Sequence, residues 1–190
     1  MGISFDDITV RAVEYHTLPN YPFALQCASV GTFDKRSLVM GGVKVGGDVS
    51  SQCYQFDNEK YQIIPSMNVT RYYAASTFTR NKIIVTGGWN DDEYDLDSIE
   101  ILDWSESNQG HQWVQSSSKL PFYVSRHTLV TCNNKLYLIG GYNNWESIWE
   151  GILDCIRNEI TWKLMDIKLQ KKRNMHFSFV ISNKIIVFGR

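Results

Sequence analysis

No stretch of this 190-residue chain approaches the ~18 consecutive apolar residues that a membrane-spanning helix needs. The N-terminus, MGISFDDITVRAVEYH, puts acids where a signal peptide carries basic residues, and it has no apolar core. Gly2 follows Met1, but Asp6 stands where myristoylation wants a hydroxyl residue. These absences give a cytoplasmic protein without a membrane partner as the default expectation. Charge of one sign is missing as well: 19 basic and 20 acidic residues leave a net charge of −1. Without a basic stripe, nucleic acid is not expected as a partner. The one basic cluster, KLQKKR at 168–173, reads as a solvated strand end.

Cysteine is scarce and unpatterned. Cys27, Cys53, Cys132 and Cys155 contain no CxxC pair, so neither a disulfide framework nor a zinc site is expected. They read as free thiols in or beside strands, behaving as small hydrophobes. The triplet Asn68-Val69-Thr70 fits a glycosylation acceptor but follows no secretory signal. There is no GxSxG, P-loop, HExxH or Rossmann fingerprint, so catalytic, cofactor-binding and metal-binding residues are all expected to be none. Helical periodicity is also lacking.

What the chain does have is a repeat. RSLVMGG at 36–42, KIIVTGG at 82–88, KLYLIGG at 135–141 and KIIVFGR at 184–190 end alike. Taking Gly41, Gly87, Gly140 and Gly189 as references, a basic residue lies five positions earlier in each: Arg36, Lys82, Lys135 and Lys184. Before these come Lys35, Asn81, Asn134 and Asn183, and Asn readily supplies the positive φ of a two-residue hairpin turn. Ala28, Ala74, His127 and His176 each open an apolar run thirteen residues ahead of the glycine. Each unit therefore starts with a hairpin. A third strand follows in QCYQFD, SIEILD and SIWEGILD, and a fourth is expected to begin at an aromatic: Tyr61, Trp113 or Trp162. The N-terminal TVRAVEYHTLP has the shape of another fourth strand.

This register of diglycines and spaced aromatics resembles the kelch repeat. The resemblance covers about residue 8 to 190 and implies an all-β, kelch-type β-propeller with about four blades, the last incomplete. The chain is then one domain, 1–190, with repeats ending near Gly42, Gly88, Gly141 and Arg190. Departures stand out: Arg190 replaces a second glycine, and the upstream arginine fits at Arg71 and Arg173. Leu25 and Val124 hold that place in the other two units, with Arg126 displaced by two. Gly41, Gly42, Gly87, Gly88, Gly140 and Gly141 are expected to be structural, and Trp113 and Trp162 to wedge between blades. Exposed blade faces and open edges suggest self-association.

The segments after the diglycines differ most between units: VKVGGDVSS, WNDDEYDLDS and YNNWES. Trp89, Tyr94, Tyr142 and Trp145 combine there with Asp91, Asp92 and Asn143, the mixture found at interaction hot spots. The acidic run lacks the ligand order and turn glycine of a calcium loop, and reads as solvated or as binding a basic partner. The expectation is a noncatalytic protein-interaction module, an adaptor or scaffold, whose protein partner the sequence does not identify. The resemblance leaves two alternatives. One is a sugar-active or metal-dependent kelch-fold enzyme; for a copper site His127 and His176, sharing one repeat position, make poor ligands. The other is a gene fragment. Too few residues precede the first strand for a ligase-recruiting segment, so a role in ubiquitin transfer is an implication of the resemblance alone.

Overall fold

Two-residue turns fix the register of the inner hairpins. Arg80–Asn81, Asn133–Asn134 and Ser182–Asn183 all have positive φ, between 48° and 61°. That pairing of two left-handed residues matches the right-handed twist of the flanking strands. The computed structural model describes residues 25–33, 36–57, 60–104 and 112–189. The strand-like N-terminal stretch, Lys35, His16, His111 and Arg190 lie outside them.

The described residues are all-β. The first blade contains β1 (Leu25–Gln26), β2 (Ser29–Phe33), β3 (Arg36–Met40), β4 (Val43–Lys44), β5 (Cys53–Asp57) and β6 (Lys60–Ile64). The second contains β7 (Ala75–Thr79), β8 (Lys82–Thr86), β9 (Trp89–Asn90), β10 (Tyr94–Asp95), β11 (Ile99–Asp103) and β12 (Trp113–Gln115). The third has β13 (Thr128–Cys132), β14 (Lys135–Ile139), β15 (Ser147–Asp154) and β16 (Glu159–Lys168), and a final hairpin pairs β17 (Phe177–Ile181) with β18 (Lys184–Phe188). Each blade is a four-stranded antiparallel meander, ordered β2-β3-β5-β6, β7-β8-β11-β12 and β13-β14-β15-β16. The innermost strands β2, β7, β13 and β17 lie side by side in chain order, and among the described residues the run does not close into a ring.

Two features differ from the sequence reading. The fourth strands β6 and β16 begin at Lys60 and Glu159, ahead of their aromatics, because these residues already pair with Asp57 and Asp154 at the ends of the third strands. The segment after Gly88 is not a plain loop: β9 and β10 pair as a small hairpin, Tyr94 opposite Asn90.

Blades are held together by chemistry that changes with distance from the axis. Near the axis, where space is smallest, hydroxyls face hydroxyls: Ser29–Ser76 at 2.7 Å, Thr77–Thr131 at 3.0 Å and Thr128–Ser178 at 2.6 Å. Farther out the contact is apolar. Leu38, Met40, Cys53 and Met67 of the first blade pack on Ile83, Val85, Leu102 and Trp113 of the second. Ile84, Ile99 and Ile101 pack likewise on Val124, Leu129, Leu136, Leu138 and Leu153. The middle blade is covered on both faces, so β8 is buried at every position, as expected of a strand between two packed layers.

The diglycines serve these contacts. Gly87 has φ 56°, and a Cβ there would sit 2.4 Å from the Val124 carbonyl and 2.9 Å from the His127 ring. Gly41 and Gly140 repeat the left-handed backbone at φ 66° and 57°. The second glycines Gly42, Gly88 and Gly141, at φ 98° to 100°, have the entry segment of their own blade within 3.1 Å of a would-be Cβ. Trp113 is buried and its indole N–H donates to the Pro65 carbonyl of the preceding blade at 2.8 Å. Trp162, half-buried, lies over Gly151, where an added Cβ would come within 2.7 Å of the ring.

Candidate interaction surface

Each inner strand is entered through a left-handed residue fourteen positions before the reference glycine: Cys27, Tyr73, Arg126 and Met175, with φ between 51° and 59°. Their backbones are linked in series. The N–H of Tyr73 donates to the Cys27 carbonyl, that of Arg126 to Tyr73, and that of Met175 to Arg126, all at 2.9 Å. Positive φ is costly for these residue types. The geometry persists because the chain of hydrogen bonds over-determines it. These residues rim an axial groove of about 440 Å³, floored by the hydroxyl-rich inner strands.

A track of aromatic rings reaches this rim. Tyr94 stands edge-on to Trp89 at 5.7 Å, Trp89 to Tyr72 at 5.1 Å, and Tyr72 lies 4.8 Å from Tyr73. The Arg126 guanidinium then sits over the Tyr73 ring at 4.5 Å and 5.7 Å from that of Tyr142, which meets Trp145 edge-on at 5.3 Å. Four sequence-selected aromatics, two per blade, are thus joined through an arginine that the sequence reading treated only as a displaced repeat residue. Its signal was present: Arg126 occupies the same register as Tyr73. Trp89 and Trp145 are half-buried, and the turn around Trp145 is stitched by Asn144 and the Trp145 N–H to the Gly141 carbonyl at 2.8 Å. Tyr94 and Tyr142 are exposed.

Asp91 and Asp92 are exposed beside Tyr94, with the Glu93 N–H donating to Asn90 at 2.7 Å. Asn143 reaches from the third blade to the second, donating from Nδ2 to Asp95 Oδ2 at 3.1 Å and to the Tyr123 carbonyl at 3.4 Å. Tyr123 is a surface aromatic that the sequence reading did not select. Among the described residues no group of three or more His, Cys, Asp or Glu is arranged to hold a metal ion, and no helix is long and apolar enough to cross a membrane.

His127 and His176 lie between blades. The His127 Nε2 pairs with Thr86 at 2.9 Å and that of His176 with Thr128 at 3.0 Å. Burial pulls the His127 pKa down to about 3, helped by the charges of His176 and Arg71, and that of His176 to about 4, helped by Arg173. Burial likewise pushes the Cys53 thiol up to about 12. All four cysteines are free.

Radially stacked four-stranded meanders, each opening through a left-handed residue and closing on a diglycine, define an open β-propeller. A model of the kelch motif matches residues 70–118 and 124–156, so the second and third blades are similar to kelch repeats. It is 26% identical over 190 residues to Kelch-like protein 38 of Rattus norvegicus, covering 95% of this chain and 31% of that protein. Alpha-scruin of Limulus polyphemus is 25% identical over 148 residues, 70% of this chain and 15% of the relative. An F-box/kelch-repeat protein of Arabidopsis thaliana is 29% identical over 144 residues, 70% of this chain and 36% of the relative. The chain thus spans well under half the length of these relatives.

Proposed function

We propose that the chain is a noncatalytic protein-interaction module that engages a partner segment with the aromatic track and the rim of the axial groove. The observation that carries this reading is the unbroken path Tyr94–Trp89–Tyr72–Tyr73–Arg126–Tyr142–Trp145. Tyr, Trp and Arg dominate binding energy at protein interfaces because they offer large, stiff, amphipathic contact areas at low entropic cost. Here their positions are fixed by blade packing and by the series of backbone hydrogen bonds, so little ordering is left to be done on binding. The similarity to kelch-repeat proteins supports the same general reading, which we extend to an adaptor or scaffold role.

Tyr142→Ala and Arg126→Ala test it. Both remove track contacts while leaving the blade clusters intact. Quantitative affinity capture with the full chain should lose the same subset of bound proteins in both variants, with Lys163→Ala, on the exposed outer strand, as the control. Identical capture profiles for all three would count against the track.

A further inference from the structure

We infer that the cleft between Tyr94 and Tyr123 receives one cationic side chain of the bound partner, a guanidinium or an ammonium. This deepens the interaction-module reading and rests on it. The cleft, about 480 Å³ and open to solvent, is lined by Glu93, Tyr94, Asp95, Tyr123 and Asn143. Its walls are two tyrosines left largely wet: Tyr94 is 68% and Tyr123 57% exposed. They come from different stretches, the β9–β10 hairpin and the connection from the second blade to the third, and Asn143 of the third blade ties the stretches together. The cleft is thus built before any partner arrives.

Its polar groups call for a positive ligand. Asn143 occupies Oδ2 of Asp95, but Oδ1 of the same carboxylate is buried with no hydrogen-bond partner. A carboxylate oxygen without a donor leaves its charge uncompensated, and Asp95 makes that part of the cleft wall negative. Glu93 adds a second carboxylate at the mouth, and residues 91–97 hold five acids in all. The neighbouring base, Lys119, is held by both oxygens of Asp97 at 3.1 and 3.0 Å. An anion would be repelled here, and a neutral apolar group would leave the charge of Asp95 and Glu93 unmatched. A cation beside exposed phenol rings and carboxylates gains both the ring quadrupole attraction and a charge-assisted hydrogen bond. Tyr94 also ends the aromatic track, so the cation would anchor one end of a segment lying along that track.

The test titrates the full 15N-labelled chain with the peptides acetyl-Gly-Arg-Gly-amide and acetyl-Gly-Lys-Gly-amide. The neutral isostere acetyl-Gly-citrulline-Gly-amide is the control. Arg or Lys peptide should shift the amides of Tyr94, Tyr123 and Asn143, and comparison of the two identifies the preferred cation. The citrulline peptide should not shift them. Asp95→Asn keeps an oxygen for Asn143 while removing the charge, and it should weaken binding about tenfold. Equal shifts with citrulline, or unchanged affinity in Asp95→Asn, would overturn the assignment. Should that variant fail to fold, Glu93→Gln on the exposed rim reads the same charge, with weaker binding in support and unchanged affinity against. Failure here with capture still lost in Arg126→Ala and Tyr142→Ala would sink the cleft and leave the interaction module standing. The reverse pattern would sink the module.

Discussion

At the residue scale, the buried Arg71–Glu100 pair shows how one blade position accommodates opposite chemistries. Arg71 and Glu100 are both fully buried and meet at 2.9 Å. Arg71 also donates to the Gly87 carbonyl at 2.7 Å, while Glu100 accepts from the N–H groups of Asn68 and Val69. Burial pulls the Arg71 pKa down, and the adjacent Glu100 carboxylate pushes it back up. The first blade places Leu25 and Tyr54 in these two registers, and the third places Val124 and Trp149. In the three four-stranded blades charge appears at both positions or at neither, as expected when an unpaired buried charge costs more than the pair contributes. Arg71→Leu alone should destabilise the protein by about 3–5 kcal/mol. Arg71→Leu with Glu100→Tyr, the pair of the first blade, should recover much of that. A double-mutant cycle by urea unfolding gives the coupling, and additive losses would refute it. His127 makes a pH prediction of fixed sign. Its pKa of about 3 in the fold lies below the ~6.5 of an unfolded histidine. Between these values the unfolded chain binds the extra proton. The stabilisation is therefore complete above about pH 6.5 and drains away as pH falls toward about 3, by on the order of a few kcal/mol. His127→Ala, the residue type that Ala74 supplies one blade earlier, should flatten the slope of melting temperature against pH in that window. An unchanged slope would remove His127 from the account.

At the scale of the element, the hairpin and its diglycine are what the sequence made legible, because each demands backbone torsions few residues tolerate. Asn81, Asn134 and Asn183 have φ of 60° to 61°, and the paired strands follow from them with no freedom of register. The same logic separates glycines that need space from those that need only φ. Gly87→Ala should cost about 3 kcal/mol or more, since a Cβ there meets the Val124 carbonyl at 2.4 Å. Gly46, with nothing within 4 Å of its would-be Cβ, keeps only the strain of φ 113°, about 1–2 kcal/mol. Chemical denaturation of the two alanine variants checks the order. Gly151 was not legible, because its φ is ordinary and its need is the Trp162 ring from a neighbouring strand. Arg126 was hidden for a related reason. Its partners, Tyr73 and Tyr142, lie in two different blades, and no linear pattern brings those three positions together. The repeat foretold where loops would cluster, but the aromatic track through Arg126 is a property of the stack.

At the scale of the whole molecule, burial is uneven in a way that follows from an open stack. The strand β8 is buried throughout, whereas β18, of nearly identical sequence, alternates between exposed and half-buried. KIIVT and KIIVF differ in coverage far more than in composition. On the outward face of the last hairpin Phe177, Phe179, Ile181, Ile186 and Phe188 are between 39% and 65% exposed. Phe177 and Phe188 stack there at 5.5 Å. In the preceding blades the registers of Phe177 and Phe179 hold Ser29, Ala75 and Thr128, or Gly31, Thr77 and Val130, which suit close hydroxyl or small-residue contact. Three phenylalanines and two isoleucines on one exposed sheet face form the kind of apolar patch that drives association, and β18 adds an unpaired edge among the described residues. The chain on its own should therefore associate reversibly, with a weight-average mass that rises with concentration in sedimentation equilibrium. Phe177→Ser combined with Phe188→Ser should lower that association about tenfold or more, because it removes most of the stacked apolar area. It should leave the Asp95-dependent peptide titration unchanged, since the cleft lies in the second and third blades. A mass equal to one chain at all concentrations, before any substitution, would show that the exposed face does not drive self-contact.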